Sequence, residues 1–366
     1  MIEKFIKENI SDFHDDLKTI TLTSAPTFEE HQRVALIKEM LEQLGFQSDI
    51  DSIGNLICLV EGVVRQQVVY SAHVDTVFPK ETHLDFIEKS GCFYCPGVAD
   101  NSLSVTSLIY LLKYIKTHNI TPHYDTYFLF NVCEEGLGNL IGIKHFIDST
   151  SLPDLIAHFA LEGNKVGRLT QTFVGSVRKK VSIKGLGGHS WRDSDHTSAI
   201  HVASKMISQL YDIPLPRGSK TTLNVGTIRG GTGVNVIPQY TEIMFEVRFI
   251  DQENGQSVLD EASRIIDSYR SKDIQIDVDV IGDRPAGTTK NDEIAERVKN
   301  IHQRLGIETE EDIGSSDSNY PASKGLSSFT IGISKAQYLH SIDEFVEIAT
   351  IEKGLYQLIE IFNNIR

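Results

Sequence analysis

Through the first half of this chain, short apolar runs alternate with amphipathic stretches of helical period. The runs "NLICLV", "VVYSAHV", "TYFLFNV" and "LIAHFAL" are predicted as buried strands. Helices are predicted between them, over about Asp100 to Lys116 and near Ile141 to Ile147. Ahead of the strands, "MIEKFIKENISDF" alternates charged and apolar residues as an amphipathic helix does. In "PTFEEHQRVALIKEMLEQLGF", Thr27 stands three residues before Glu30, the spacing of a capping box, and Gly45 falls at the expected C-cap. Strands alternating with helices predict a largely parallel sheet covered on both faces.

The pattern changes after Gly175. "SVRKKVSIKG" alternates as a half-exposed strand does, "HTSAIHVASKMISQLYDI" is helical, "LNVGTIRGG" and "TEIMFEVRF" are strands, and "VLDEASRIIDSYR" is a second helix. This is the pattern of a small α+β domain with one solvated sheet face. "GDRPAG" supplies Pro and Gly where the chain crosses back, and the sequence ends on the amphipathic stretch "TIEKGLYQLIEIFNNIR". The reading is therefore an α/β fold, residues 1–174 and 286–366, interrupted by an inserted α+β domain, residues 175–285.

Composition agrees with two domains, because 366 residues exceed the size at which one core usually stops growing. With 40% apolar and 23% charged residues the chain is ordinary for a globular protein. Its net charge of −15 disfavours nucleic acid and anionic lipid as partners, and it has no apolar run long enough to span a membrane. The N-terminus lacks the apolar core and cleavage site of a signal peptide, and four cysteines make no dense disulfide framework, so a cytoplasmic location is the expectation. Cys92-x-x-Cys95 has no second pair at zinc-finger spacing and reads as a loop coincidence.

The chemistry gathers at strand ends. "YSAHVDTVFP" closes a strand on His73 and Asp75, which share a face and can hydrogen-bond. Asp100 in "GVADNS", Glu134 and Glu135 in "FNVCEEG", Glu162 in "FALEG" and His340 in "YLHSIDE" complete the set. Singly, Asp100 reads as a helix cap and the rest as solvated residues. Together they sit where open α/β sheets gather their sites. Two imidazoles and three carboxylates suit a pair of zinc-like ions, each with one His and one carboxylate, the third carboxylate bridging them. Adjacent Glu134 and Glu135 cannot both point the same way, so one can ligate while the other faces the water. Such a site acidifies water and polarises a carbonyl, and a free carboxylate then moves the proton. Asp75 would orient His73 from behind.

The ordered set "SAHVDTVF", "GVADNS", "NVCEEGLGN", "LEG", "GGHSW", "GGTGVNVIP" and "LHSIDE" resembles the M20 family of metallopeptidases and N-acyl amino acid deacylases. The resemblance covers nearly the whole chain. It implies a zinc-exopeptidase-like catalytic domain, with His73, Asp100, Glu135, Glu162 and His340 as ligands to two divalent ions, Asp100 bridging. Zinc is the first expectation for the metal, with cobalt and manganese as alternatives. Glu134 is implied as the general base. The inserted domain is implied to be a lid that forms a homodimer, with His189 of "GGHSW" reaching the partner's site. Arg248 in "FEVRF" and Asn235 in "GVNVIP" are implied contacts to the substrate, as are Ser316 and Asp317 in the "GSSDSN" loop.

Some positions depart from the family. Asp100-Asn101-Ser102 stands where many acyl-amino acid deacylases have Asp-Met-Lys, which favours the peptidase-like branch. Glu162 points the other way, since aminopeptidase-type members usually have Asp there. "SKAQY" before His340 lacks the glycines common in relatives. The implied substrate is a small peptide or an N-acyl amino acid. The reading from another class is a catalytically silent dimeric binding relative, which a missing ligand or base would have supported; every position is filled.

Overall fold

The computed structural model describes residues 1–365, which divide into two compact units, residues 1–173 with 288–365 and Val174–Gly287. The first unit is built on a seven-stranded sheet. Its four central strands, in spatial order Tyr124–Asn131, Val64–His73, Leu155–Glu162 and Ser328–Gly332, are parallel. Leu56–Val60 and Asp49–Ile50 extend one edge and Leu169–Thr170 the other, all antiparallel.

The central strands carry apolar residues on both faces because both faces are covered. Val68, Tyr70, Phe128 and Phe130 join the large core beneath the helices Ile2–Leu22, Ser104–Thr117 and Ile348–Asn364. Val69 and Leu129, one residue out of phase, pack on the opposite face with Ile143 and Phe146 of the helix Ile141–Ser149. Truncating a core aromatic such as Phe128 to Ala would cost about 3–5 kcal/mol. No helix among the described residues is long and apolar enough to cross a membrane.

A smaller antiparallel sheet decides which distant segments meet. Phe345–Glu347 pairs with Cys92–Tyr94, flanked by Ala336–Gln337 and Ile87–Lys89. The loop after Tyr94 leads to Asp100, and the loop before Phe345 carries His340. One strand pair thus delivers both to the same end of the unit.

Two local expectations need correction. The helix containing His31 begins there, and its N-cap, Glu30, makes no side-chain cap hydrogen bond. Thr27 Oγ1 donates instead to Asp75 at 2.9 Å, and Glu30 Oε1 accepts the N–H of Cys133 at 3.0 Å. The capping-box spacing therefore belongs to a loop tied to the strand ends, where Glu30 Oε1 also accepts the Phe28 N–H at 2.9 Å. The helix expected from Asp100 starts regularly at Ser104, since Asp100 and Asn101 leave helical dihedrals. Asp100 makes no cap.

The second unit is a four-stranded antiparallel sheet, in order Thr221–Gly230, Tyr240–Phe249, Gly175–Lys184 and Gln275–Arg284. Its helices Ala199–Tyr211 and Gln252–Ser268 start with hydrogen bonds from His201 N–H to Ser198 and from Asn254 N–H to Asp251. Their apolar faces cover Val181, Ile243 and Phe245. The charged alternates Lys180 and Lys184 face away and pair with Asp279 and Asp277.

Candidate metal centre

The site stands at the carboxyl ends of the parallel strands. His73 closes its strand and Glu162 closes the neighbouring one, while Glu134 and Glu135 follow the end of Tyr124–Asn131. His73 is buried, with Nδ1 3.0 Å from the Asp75 carbonyl oxygen and 3.5 Å from Asp75 Oδ1. Its Nε2 lies 3.1 Å from Asp100 Oδ1. The other Asp100 oxygen, Oδ2, is 3.0 Å from His340 Nε2, which is also 2.9 Å from Glu135 Oε1. Asp100 therefore spans the two imidazoles.

Three overlapping groups have donor atoms within 4.8 Å of one another: His73, Asp100 and Glu162; His73, Glu134 and Glu135; Asp100, Glu135 and His340. Charge makes this packing costly without cations. Burial, then the Asp100 charge, pushes the Glu135 carboxyl up to about 7. The same two causes raise Glu162 well above the usual carboxylate range. Burial opposes the charged form of His73, but its contacts with Asp100 and Asp75 outweigh that and raise it. Hydrogen bonds with Asp100 and then Glu135 raise His340 to about 11. Asp100 Oδ1 is buried, and its close polar neighbour is His73 Nε2 at 3.1 Å. A buried carboxylate set between two imidazoles, with further carboxylates within ligand distance, fits divalent cations of the zinc type.

A set of buried polar groups behind the ring holds it in place. Asp75 accepts the N–H groups of Glu134 and Glu135 on its two oxygens, each at 2.9 Å. Burial opposes its ionisation, but His73 and these N–H groups hold its carboxyl below the ordinary value. Glu344 accepts N–H groups from Gly97, Ala99 and Asp100. Arg33, 1% exposed, donates to the carbonyls of Thr23, Val74 and Thr21. Sequence reading missed the buried contacts of Glu30, Arg33 and Glu344; Arg33, a charged residue beside Val34 in the apolar period of its helix, carried the one local signal.

A family comparison decides the classification. A family model described as Peptidase family M20/M25/M40 matches residues 69–364. The chain belongs to peptidase family M20/M25/M40. Among curated M20 relatives, it is 26% identical to the succinyl-diaminopimelate desuccinylase of Hydrogenovibrio crunogenus over 368 aligned positions, covering 93% of this chain and 94% of the relative. Among solved structures, a tripeptidase of Staphylococcus aureus superposes with a TM-score of 0.81 at 21% identity, covering 96% of this chain and 97% of that one. The Bacillus subtilis YXEP protein, described as a dinuclear metal binding peptidase of the M20 family, superposes with a TM-score of 0.72 at 16% identity, covering 97% and 98%. These likenesses establish an M20 fold with a central, mostly parallel sheet.

The remaining residues singled out in the sequence divide between the two units of this M20 chain. Ser316 and Asp317 belong to the first and are buried. Ser316 Oγ lies 2.6 Å from Thr330 Oγ1, and Asp317 Oδ2 accepts Asn131 Nδ2 at 2.8 Å. Burial and then the Glu134 charge push the Asp317 carboxyl up to about 7. His189, Asn235 and Arg248 belong to the second unit. His189 is exposed, and its Nδ1 accepts the Trp191 N–H at 3.1 Å. The Asn235 carbonyl accepts the N–H of Ser190 at 3.1 Å, which sets Asn235 beside His189. Gly188 has φ +145, and a Cβ there would meet Asp193 Cβ at 2.7 Å, so the "GGH" turn requires glycine. Arg248 pairs with Glu246 on its own strand at 2.9 Å.

Proposed function

We propose that this chain is a dinuclear metal-dependent hydrolase that cleaves an amide bond in a small peptide or an N-acyl amino acid. The observation that carries the reading is Asp100 spanning His73 and His340, with oxygen-to-nitrogen distances of 3.1 and 3.0 Å. His73 and Glu162 would hold one cation, Glu135 and His340 the other, and Asp100 both. Zinc suits these donors, as do cobalt and manganese. When bound, such cations supply Lewis acidity to a carbonyl and acidify water.

The chain's own residues do the rest. Glu134, on the turn clamped by Asp75, takes the proton of the attacking water and returns it to the leaving amine nitrogen. Asp75 fixes the ring of His73 through Nδ1. His189 donates a hydrogen bond to the developing oxyanion in the site of the partner subunit, with the second unit forming the dimer contact. The Arg248 guanidinium grips a substrate carboxylate, and Asn235 makes a further contact to the substrate. Ser316 and Asp317 are further substrate contacts in this reading, on the loop whose Asp317 holds Asn131 at the end of the strand that precedes Glu134.

The test is a panel of N-acyl amino acids, dipeptides and tripeptides, assayed after reconstitution with zinc, cobalt or manganese. Turnover of at least one class, abolished by chelation and restored by metal, is expected. A metal-loaded chain that turns over none of the three overturns the proposal.

A further inference from the structure

We infer that Glu344 is a positioning residue of the metal centre, its carboxylate stapling the segment that carries His340 onto the segment that carries Asp100. The inference rests on the metal-centre reading above. Glu344 lies four residues beyond His340 and is fully buried. Its Oε1 accepts the N–H groups of Ala99 at 2.8 Å and Asp100 at 2.9 Å, and its Oε2 accepts that of Gly97 at 3.1 Å. Its carbonyl oxygen accepts the N–H of Cys95 at 3.1 Å. Four donors from one short loop thus end on one residue.

The loop needs these acceptors because of its shape. Gly97 is left-handed at φ 75 and the helical turn begins only at Val98, so the N–H groups of Gly97, Ala99 and Asp100 stand at a helix start with no earlier helical carbonyl to accept them. Successive N–H groups turned to one side form a concave anion site, and the Glu344 carboxylate fills it from within the chain. This fixes the backbone from which the Asp100 side chain reaches His73 and His340. The staple also runs from Glu344 back through the Ser341 carbonyl, which accepts the Glu344 N–H at 3.1 Å, toward His340. Both members of the Asp100 and His340 contact therefore depend on one buried carboxylate.

Glu344→Gln keeps the size but leaves one acceptor oxygen and places an amide donor among the N–H groups. Residues that hold metal ligands from behind typically change affinity by about 10–100-fold when replaced. Zinc affinity by competition with a chromophoric chelator, and the visible spectrum of the cobalt-loaded protein, are measured for wild type, Glu344→Gln, Glu344→Asp and Leu358→Ala. Leu358 is a buried core residue of the terminal helix and serves as a control for lost stability alone. The expected result is affinity about 10–100-fold weaker with an altered cobalt spectrum in Glu344→Gln, a smaller loss in Glu344→Asp, and wild-type values for Leu358→Ala. If Glu344→Gln does not fold, Glu344→Asp against Leu358→Ala carries the same comparison. Wild-type affinity and spectrum in every folded Glu344 variant, or equal losses in Leu358→Ala, would overturn the inference alone. A wild-type chain that binds neither metal would overturn it together with the metal-centre reading.

Discussion

Asp75 Oδ1 accepts the main-chain N–H of Glu134 at 2.9 Å, across 59 positions of sequence. Its other oxygen accepts Glu135 N–H and the Thr27 hydroxyl, each at 2.9 Å. A carboxylate assigned from sequence to His73 thus also holds the turn on which both glutamates stand. Asp75→Asn puts an amide donor against one of these N–H groups, and kcat/KM should fall by at least about 10–100-fold. Thr27→Val removes one donor to this carboxylate and should cost about 1.5–3 kcal/mol in chemical unfolding. Equal effects of the two variants on kcat/KM would contradict this division.

Glu134 and Glu135 should separate in their phenotypes. Glu134→Gln should retain metal while turnover falls by at least about 10²–10⁴-fold, roughly 3–5 kcal/mol of barrier. Glu135→Gln should weaken metal binding. Kinetics together with elemental analysis distinguish them, and the reverse pattern would exchange their roles.

Metal loading should reach up to two divalent ions per chain, and His340→Ala should lower it. Binding to the folded state alone also raises Tm, by linkage. Inductively coupled plasma analysis and thermal melts with and without zinc measure both quantities. No bound metal under any loading condition would favour a binding protein over a hydrolase.

Acid should destabilise the fold through two core histidines. Burial holds His158 down to about 3 and His302 down to about 4. His158 lies between Ser71 Oγ at 2.8 Å and Ser328 Oγ at 2.7 Å. In the unfolded chain both titrate near about 6.5, so below that pH the unfolded state binds more protons. Their stabilisation is complete above about pH 6.5 and is lost as pH falls toward the folded values, at roughly 1.4 kcal/mol per pH unit per histidine. Urea unfolding of His302→Asn between about pH 7 and 5 should show a shallower pH slope than wild type by about that amount. An unchanged slope would exclude His302 as a source of the acid sensitivity.

Subunit complementation tests His189. Glu134→Ala and His189→Ala should each be nearly inactive. Co-expressed, about half the dimers are mixed and each holds one intact composite site, so activity should return to roughly a quarter of wild type. Mixed dimers confirmed by mass spectrometry but inactive would place His189 in its own subunit's site, and a monomer in solution would exclude the shared site outright.

Sequence alone was enough for the α/β architecture, for the change of pattern after Gly175, and for the group His73, Asp100, Glu134, Glu135, Glu162 and His340. Apolar runs buried on both faces and helical periods are local signals, and carboxylates or histidines that end apolar runs stand out against them. What the local pattern could not contain was the use of Thr27, Glu30, Arg33 and Glu344. Thr27 and Glu30 have the spacing of a capping box, yet their partners are Asp75 and Cys133, 48 and 103 positions away. Glu344 looks like a solvated residue of "HSIDE", yet it is buried against Gly97, Ala99 and Asp100. A buried polar group must find a partner, and which partner depends on strand order and loop path. Only the tertiary structure decides that, because hydrogen bonds join groups that are near in space whatever their separation along the chain.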